Sequence, residues 1–332
     1  MVFSFGNSEV TGRRRYQLQL CIFMSKIDEV WKKYFSDNRR VADLMNMFCY
    51  QGEQVVRPED VTEADPVQGR FARDTVRKVV CGQKVMICGI ESQETMDYSM
   101  AARIMGYDLR EYEKQIKTIR NRNKDAFKKG CKYEDAGEYL YNFLRTDRLD
   151  PAGTIVIYSG GKWTGPRSLW ELCGLNKKMG RRLKIVNDYP LHIIEITELA
   201  EENLNQLKTD MRQVFTLLKY SGEKNKMRVK EIAEDKAYSH LPDDAGELIG
   251  AYYGDSFMSD KKGKENKPMA SIRENIQLMF KEEREIGIKG MVEDNIDSNV
   301  PKERIIAKLM KYFELPKKDA VKYYKKFAPK VA

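Results

Sequence analysis

Histidine is nearly missing from this 332-residue chain, which holds only His192 and His240. Two imidazoles cannot build a His-rich zinc site, and their spacing excludes the paired-histidine helix of zinc proteases. The six cysteines (Cys21, Cys49, Cys81, Cys88, Cys131 and Cys173) never come closer than seven positions to one another. That removes zinc ribbons and redox Cys-x-x-Cys pairs. Cys49, Cys81 and Cys88 fall inside apolar runs and read as reduced core thiols, which points to the cytoplasm. His192, within an apolar strand, reads as a hydrogen-bonded core residue. No run of about 18 apolar residues exists to span a membrane. The basic-then-apolar stretch at 12–24 is broken by glutamines and followed by charged helix, so it does not read as a signal peptide. Gly160-Gly161-Lys162 is too short for a phosphate-binding loop, and no serine-nucleophile motif is found.

What is present is charge. Lys and Arg number 59 against 50 Asp and Glu, a formal net charge of +9. With 33% charged and 42% hydrophobic residues, the chain should fold and carry a highly charged surface suited to a polyanion. Residues 36–50 read as a helix with Ser36 as N-cap and Val41, Leu44, Met45 and Phe48 on its apolar stripe. A loop covers 52–69. Two β-rich runs follow, 74–81 and 84–93, joined only by Gly82-Gln83, the pattern of a type II′ hairpin. Asp97 is placed to cap a helix reaching about residue 123, with Ala101, Met105, Leu109, Tyr112, Ile116 and Ile119 as its buried stripe. Further strands are expected at 154–159 and 191–196, a short helix starting at Ser168, and one helix over 202–220. From 221 the pattern is all-helical: a helical segment at 221–255, a polar linker at 256–268 and a basic helical region at 269–332. Residues 1–30 read as an extension.

The hairpin carries the chemistry. If Gly82 and Gln83 form the loop, Cys81 faces Lys84, and seven steps outward Asp74 faces Glu91. Directly opposed residues share a face, with Cβ atoms about 4.5–5.5 Å apart, and Gln93 projects from that face too. Val76, Val80, Val85 and Ile87 make the rest of it apolar. Two carboxylates so placed can share a divalent cation. Hard oxygen donors, with the backbone carbonyl of Ser92, suit Mg²⁺, with Mn²⁺ as a substitute. The competing reading is a surface hairpin whose acids pair with cations such as Arg73 or Arg77.

Asp74 followed by Glu91-Ser92-Gln93 resembles the Asp…Glu-x-Lys signature of PD-(D/E)xK phosphodiesterases, in a Glu-x-Gln variant. Phe71-Ala-Arg-Asp-Thr-Val-Arg-Lys-Val79, the run from Ile90 to Tyr107 and Trp163-Thr-Gly-Pro-Arg-Ser-Leu169 together resemble the recombination-promoting nuclease (Rpn) family of transposase-like proteins. The likeness covers about residues 30 to 220. It implies a Mg²⁺-dependent DNA endonuclease over 31–220. The implied fold is an α/β, restriction-endonuclease-like αβββαβ core, its mixed sheet flanked by helices, with an all-helical C-terminal extension. Asp74 and Glu91 would bind the metal, and Gln93 would take the lysine position. An amide can orient water but cannot place a positive charge beside developing negative charge. A catalytically silent DNA-binding or protein-interaction relative is the alternative. Cutting both strands favours a homodimer.

Other candidates are thinner. Asp43 is where this fold often draws a third acid from its first helix. Yet it lies about 200° from Val41 on a helical wheel, which favours a solvated residue over a metal ligand. Arg103 and Tyr107, one turn apart, match the family's Arg-x-x-x-Tyr and are candidates to hold a phosphate, as is Arg167. Residues 114–132 hold eight basic residues against one acid, and 301–332 hold ten against three. Tyr323, Tyr324 and Phe327 in the second run fit the core of a helical hairpin better than base stacking.

Overall fold

A computed structural model of the protein describes residues 26–64, 74–82, 84–221, 225–253 and 272–328. The linker expected at 256–268, Arg73 and the extension up to residue 25 lie outside them. A helix α1 (26–34) already begins within the expected extension. Its Ile27, Trp31 and Tyr34, spaced i, i+4, i+7, are all buried, a helical stripe that sequence reading passed over. Helix α2 (Asn38–Tyr50) follows, capped by Asp37, whose side chain accepts from Arg39 N. Ser36 is not the cap; its hydroxyl donates to the carbonyl of Lys33.

Five strands form one mixed sheet in the order β1 to β5. Strand β1 (Val61–Glu63) pairs antiparallel with β2 (Thr75–Cys81) inside the stretch expected to be loop. With three residues and one buried side chain, it carries too little pattern to be read alone. Strand β3 (Lys84–Gln93) pairs antiparallel with β2, with Cys81 facing Lys84 and Thr75 facing Ile90. Gly82 turns the hairpin with φ of 61°, a conformation glycine adopts without strain. Strands β4 (Ala152–Tyr158) and β5 (His192–Glu195) then add parallel to β3. His192 is exposed rather than buried, its ring edge-on to Phe48. Of the three cysteines expected in the core, only Cys88 is there; Cys49 is exposed and Cys81 intermediate.

Alternation assigns the faces. Cys88 and Ile90 point toward α2, where the Cys88 Sγ lies 3.5 Å from the sulfur of Met45. Glu91, Gln93 and their β4 partners Val156 and Tyr158 point the other way. That second face is covered by α3 (Met100–Lys128). Its buried residues are Met100, Ala101, Ile104, Tyr107, Asp108, Glu111 and Asn123, a stripe rotated from the expected one, and Leu109 is 55% exposed. Polar Asp108 lies inside because Thr154 Oγ1 donates to it at 2.9 Å and Tyr189 donates to its other oxygen. A purely apolar stripe cannot register such pairs.

Helices α4 (Ala136–Tyr141), α5 (Leu169–Leu172) and α6 (Lys177–Arg182) lie in the connections between strands. Ser168 caps α5 as expected. The single helix expected over 202–220 is two, α7 (Glu201–Gln206) and α8 (Met211–Lys219).

The described residues divide into two units. One runs to Lys226 and includes Pro242–Tyr252; the other comprises Met227–Leu241 and the chain from Tyr253 on. The segment 221–255, including α9 (Lys226–Ala233) and α10 (Asp243–Tyr253), is thus shared between them. The second unit packs α11 (Ile272–Asp297), α12 (Lys302–Tyr312) and α13 (Lys317–Phe327) around Ile288, Val292, Ile305, Leu309 and Ala320. Tyr323, Tyr324 and Phe327 pack against that core. No helix among the described residues is long and apolar enough to cross a membrane.

Candidate catalytic site at the sheet edge

The hairpin register carries Asp74, the residue before β2, to the place opposite Glu91. The Asp74 Oδ2 accepts from both Ser92 N and Ser92 Oγ at 3.0 Å. The Gln93 carbonyl accepts from Ser159 N at 2.9 Å on the β4 side. A strand alternates the direction of its amide and carbonyl pairs, so the Ser92 carbonyl turns the opposite way, toward Asp74. Gln93 is half-buried on the face of Glu91. Asp74, Glu91, the Ser92 carbonyl and Gln93 therefore come together at the end of β3.

Glu91 is the unusual member. It is 1% exposed. Its Oε1 accepts from the Arg103 guanidinium and, at 3.3 Å, from the Tyr107 hydroxyl. Its Oε2 is buried without a hydrogen-bond partner. Leaving a buried carboxylate oxygen undonated is costly, of order 1–3 kcal/mol or more. Burial, reinforced by the charge of Asp74, pushes the Glu91 carboxyl up to about 7 despite Arg103, the Tyr107 hydroxyl and the Asp74 backbone amide, which favour the charged form. Arg103 is tied down on three sides, since it also donates to Tyr107 Oη at 2.7 Å and Asp97 Oδ2 at 3.2 Å. Asp97 is not the side-chain cap of α3; it accepts instead from Ser99 N and Oγ. Arg103 and Tyr107 thus hold Glu91 rather than offer free donors to a phosphate.

Helix α1 adds residues that were not anticipated. Lys32 Nζ lies 3.5 Å from Asp74 Oδ1. Burial first, and Asp74 second, push the Asp28 carboxyl up to about 6, and Glu94 is raised by burial and by Asp28. The β3 end is also buttressed from behind. Ser159 hydrogen-bonds the Tyr252 hydroxyl at 2.8 Å, and Trp31 Nε1 donates to the same oxygen at 2.9 Å. Gly160 permits this closeness: a Cβ there would lie 1.8 Å from the Glu94 carbonyl oxygen. Gly160 is therefore a packing requirement here, while Gly161 answers to its backbone, at φ of 100°.

Two predicted residues lie elsewhere. Asp43 is buried, at 4% exposure, rather than solvated. Its carboxylate accepts from Lys208 N, Thr209 N and Thr209 Oγ1 at 2.7–3.0 Å. These donors sit in the break between α7 and α8, so Asp43 organises the start of α8. Arg167 pairs with Glu195 at the end of β5, not with the carboxylates of β2 and β3. Arg77, a possible partner for the acids, is buried and donates to the carbonyls of Val76 and Phe35.

Among the described residues no three His, Cys, Asp or Glu side chains are grouped to hold a metal ion. Asp74 and Glu91 supply two hard carboxylates, and the buried Glu91 Oε2 has no hydrogen-bond partner. Two carboxylates with waters filling the remainder suit Mg²⁺ better than calcium, which takes six to eight oxygens. Compared with known proteins, the chain matches no protein-family model, no curated protein and no solved structure.

Proposed function

We propose that this chain is a metal-dependent DNA endonuclease, hydrolysing phosphodiester bonds at the β2–β3 edge with Mg²⁺ or Mn²⁺. The observation that carries the reading is Glu91: buried, beside a second carboxylate, with one oxygen lacking any donor. The order of elements, with helices before an antiparallel β1–β2–β3 meander, then a long helix and a parallel β4, is compatible with the αβββαβ core of restriction-type nucleases. Together with the motif resemblance it supports an Rpn-type nuclease acting in the cytoplasm.

Asp74, Glu91 and the Ser92 carbonyl would hold the cation, which when bound lowers the pKa of water and offsets charge on the phosphoryl group. Arg103 and Tyr107 fix the Glu91 rotamer through Oε1, leaving the buried Oε2 without a donor. Ser92 orients Asp74 by donating twice to Oδ2, so that Oδ1 faces Lys32. Gln93 orients the attacking water through its amide. The positive charge that Gln93 cannot supply comes from Lys32, whose side chain is 48% exposed beside Asp74 and can swing to a phosphate. Cleavage of both strands would draw on two copies of the chain.

The Arg103–Glu91 pair, with no third clustered ligand among the described residues, favours a second reading, a silent DNA-binding or protein-interaction relative. Plasmid nicking with Mg²⁺ separates the two, comparing wild type with Asp74→Ala and Glu91→Ala. Cleavage by wild type alone is expected; equal cleavage by all three sinks the assignment. Salt-sensitive DNA binding without cleavage or metal uptake selects the silent relative.

A further inference from the structure

The second unit holds a cleft of about 690 Å³ between α9, α11 and α13. Five cations line it: Lys230, Lys281, Arg284, Lys322 and Lys326. Against them stand Glu285 and Asp319. Lys326 is paired with Glu285 at 2.7 Å, and Arg284 donates to the Phe313 carbonyl. Among the described residues no ion pair engages Lys230, Lys281 or Lys322, and all three are exposed. Two half-buried rings, Phe280 and Tyr323, complete the lining. Tyr323 is braced by the Phe327 ring, stacked at 6.2 Å.

We propose that this cleft binds a nucleotide of single-stranded nucleic acid. Its phosphates would rest on Lys230, Lys281 and Lys322, and its base against Tyr323 and Phe280. The volume lies in the range of small-ligand pockets, roughly 300–1,000 Å³. Exposed lysines on three helices, none held in an ion pair among the described residues, can track a phosphate backbone, and aromatic faces accept any base. A duplex keeps its bases stacked inside, so only an unpaired base reaches two rings set within a cleft. An acidic peptide would use the lysines but leave the rings without a planar partner. This site is independent of the Asp74–Glu91 edge and of whether that edge cleaves.

The test is fluorescence anisotropy of the full chain with a labelled single-stranded oligonucleotide across a salt series in EDTA. Combining Lys230→Ala, Lys281→Ala and Lys322→Ala is expected to weaken binding about 100-fold. It should also lower the log–log salt slope by about 2, at roughly 0.7 per lost phosphate contact. Tyr323→Leu is expected to cost roughly ten-fold with the slope unchanged. Asp74→Ala should leave these losses as they are. The lysine positions are exposed, so the triple variant decides the matter even if Tyr323→Leu unfolds in a circular-dichroism melt. Equal affinity and slope in wild type and triple variant overturn the proposal. So does displacement of the strand by polyglutamate as readily as by unlabelled oligonucleotide.

Discussion

Two buried carboxylates in the first unit, Glu91 near the end of the central strand β3 and Asp43 at the α2–α8 junction, are almost equally hidden from water and have opposite environments. Asp43 accepts hydrogen bonds from two backbone amides and a hydroxyl. Glu91 shares one oxygen with Arg103 and Tyr107 and leaves the other undonated. A carboxylate whose donors come from the fold stabilises the fold. One left short of donors beside another acid is unfavourable until something positive arrives, and such sites are where function concentrates. Burial alone does not separate the two; donor accounting does.

The largest expected difference lies in rate. Glu91→Ala should reduce Mg²⁺-dependent nicking at least about a thousand-fold, with little loss of stability in urea. Asp43→Ala should show the reverse. Its folded fraction keeps cleaving, while urea denaturation reports a loss of about 3 kcal/mol from orphaned amides. Asp43→Asn, which keeps an acceptor, should lose less. If both variants lose rate and stability alike, the distinction between the sites collapses.

A second separation is in pH. The native state keeps the Glu91 proton up to about 7, whereas the unfolded chain releases it near its ordinary 4.5. The native state binds the extra proton in that window, so stability falls as pH rises through it. The advantage is full below about 4.5 and gone above about 7. In EDTA, wild type should lose up to about 3 kcal/mol across that window, and Glu91→Gln should flatten the profile. A profile unchanged by Glu91→Gln removes the buried-acid account. The smallest effect is expected at Arg167, whose side chain is 46% exposed beside Glu195. Arg167→Ala should change stability by less than about 1 kcal/mol and leave nicking intact. A large loss of cleavage there would extend the site across to β5.

The hairpin was legible in the sequence because its register follows from a two-residue turn, a local matter of counting. Asp74 and Glu91 were therefore brought together on paper before any packing was known. The Ser168 cap and the two terminal helices were legible for the same reason. The start of α8, the burial of Asp43 and the contribution of α1 were not. Thr209 lies 166 positions from Asp43, and Tyr252 lies 221 from Trp31. Arg40, buried within α2, bridges Asp210 and Asp244 from two distant helices. Helical periodicity scores Arg40 and Asp43 as polar and assigns them to water, because it cannot see partners that make burial tolerable.

The amino-acid sequence by itself determined the β2–β3 hairpin, its turn and the pairing of two acids across it, since these depend on backbone geometry within twenty residues. Tertiary structure alone decided which acid keeps an unsatisfied oxygen, which cation stands beside Asp74, and that Arg103 faces Glu91 rather than solvent. Those outcomes rest on desolvation and on hydrogen-bond donors brought from helices far along the chain, and neither exists until the chain has closed around them.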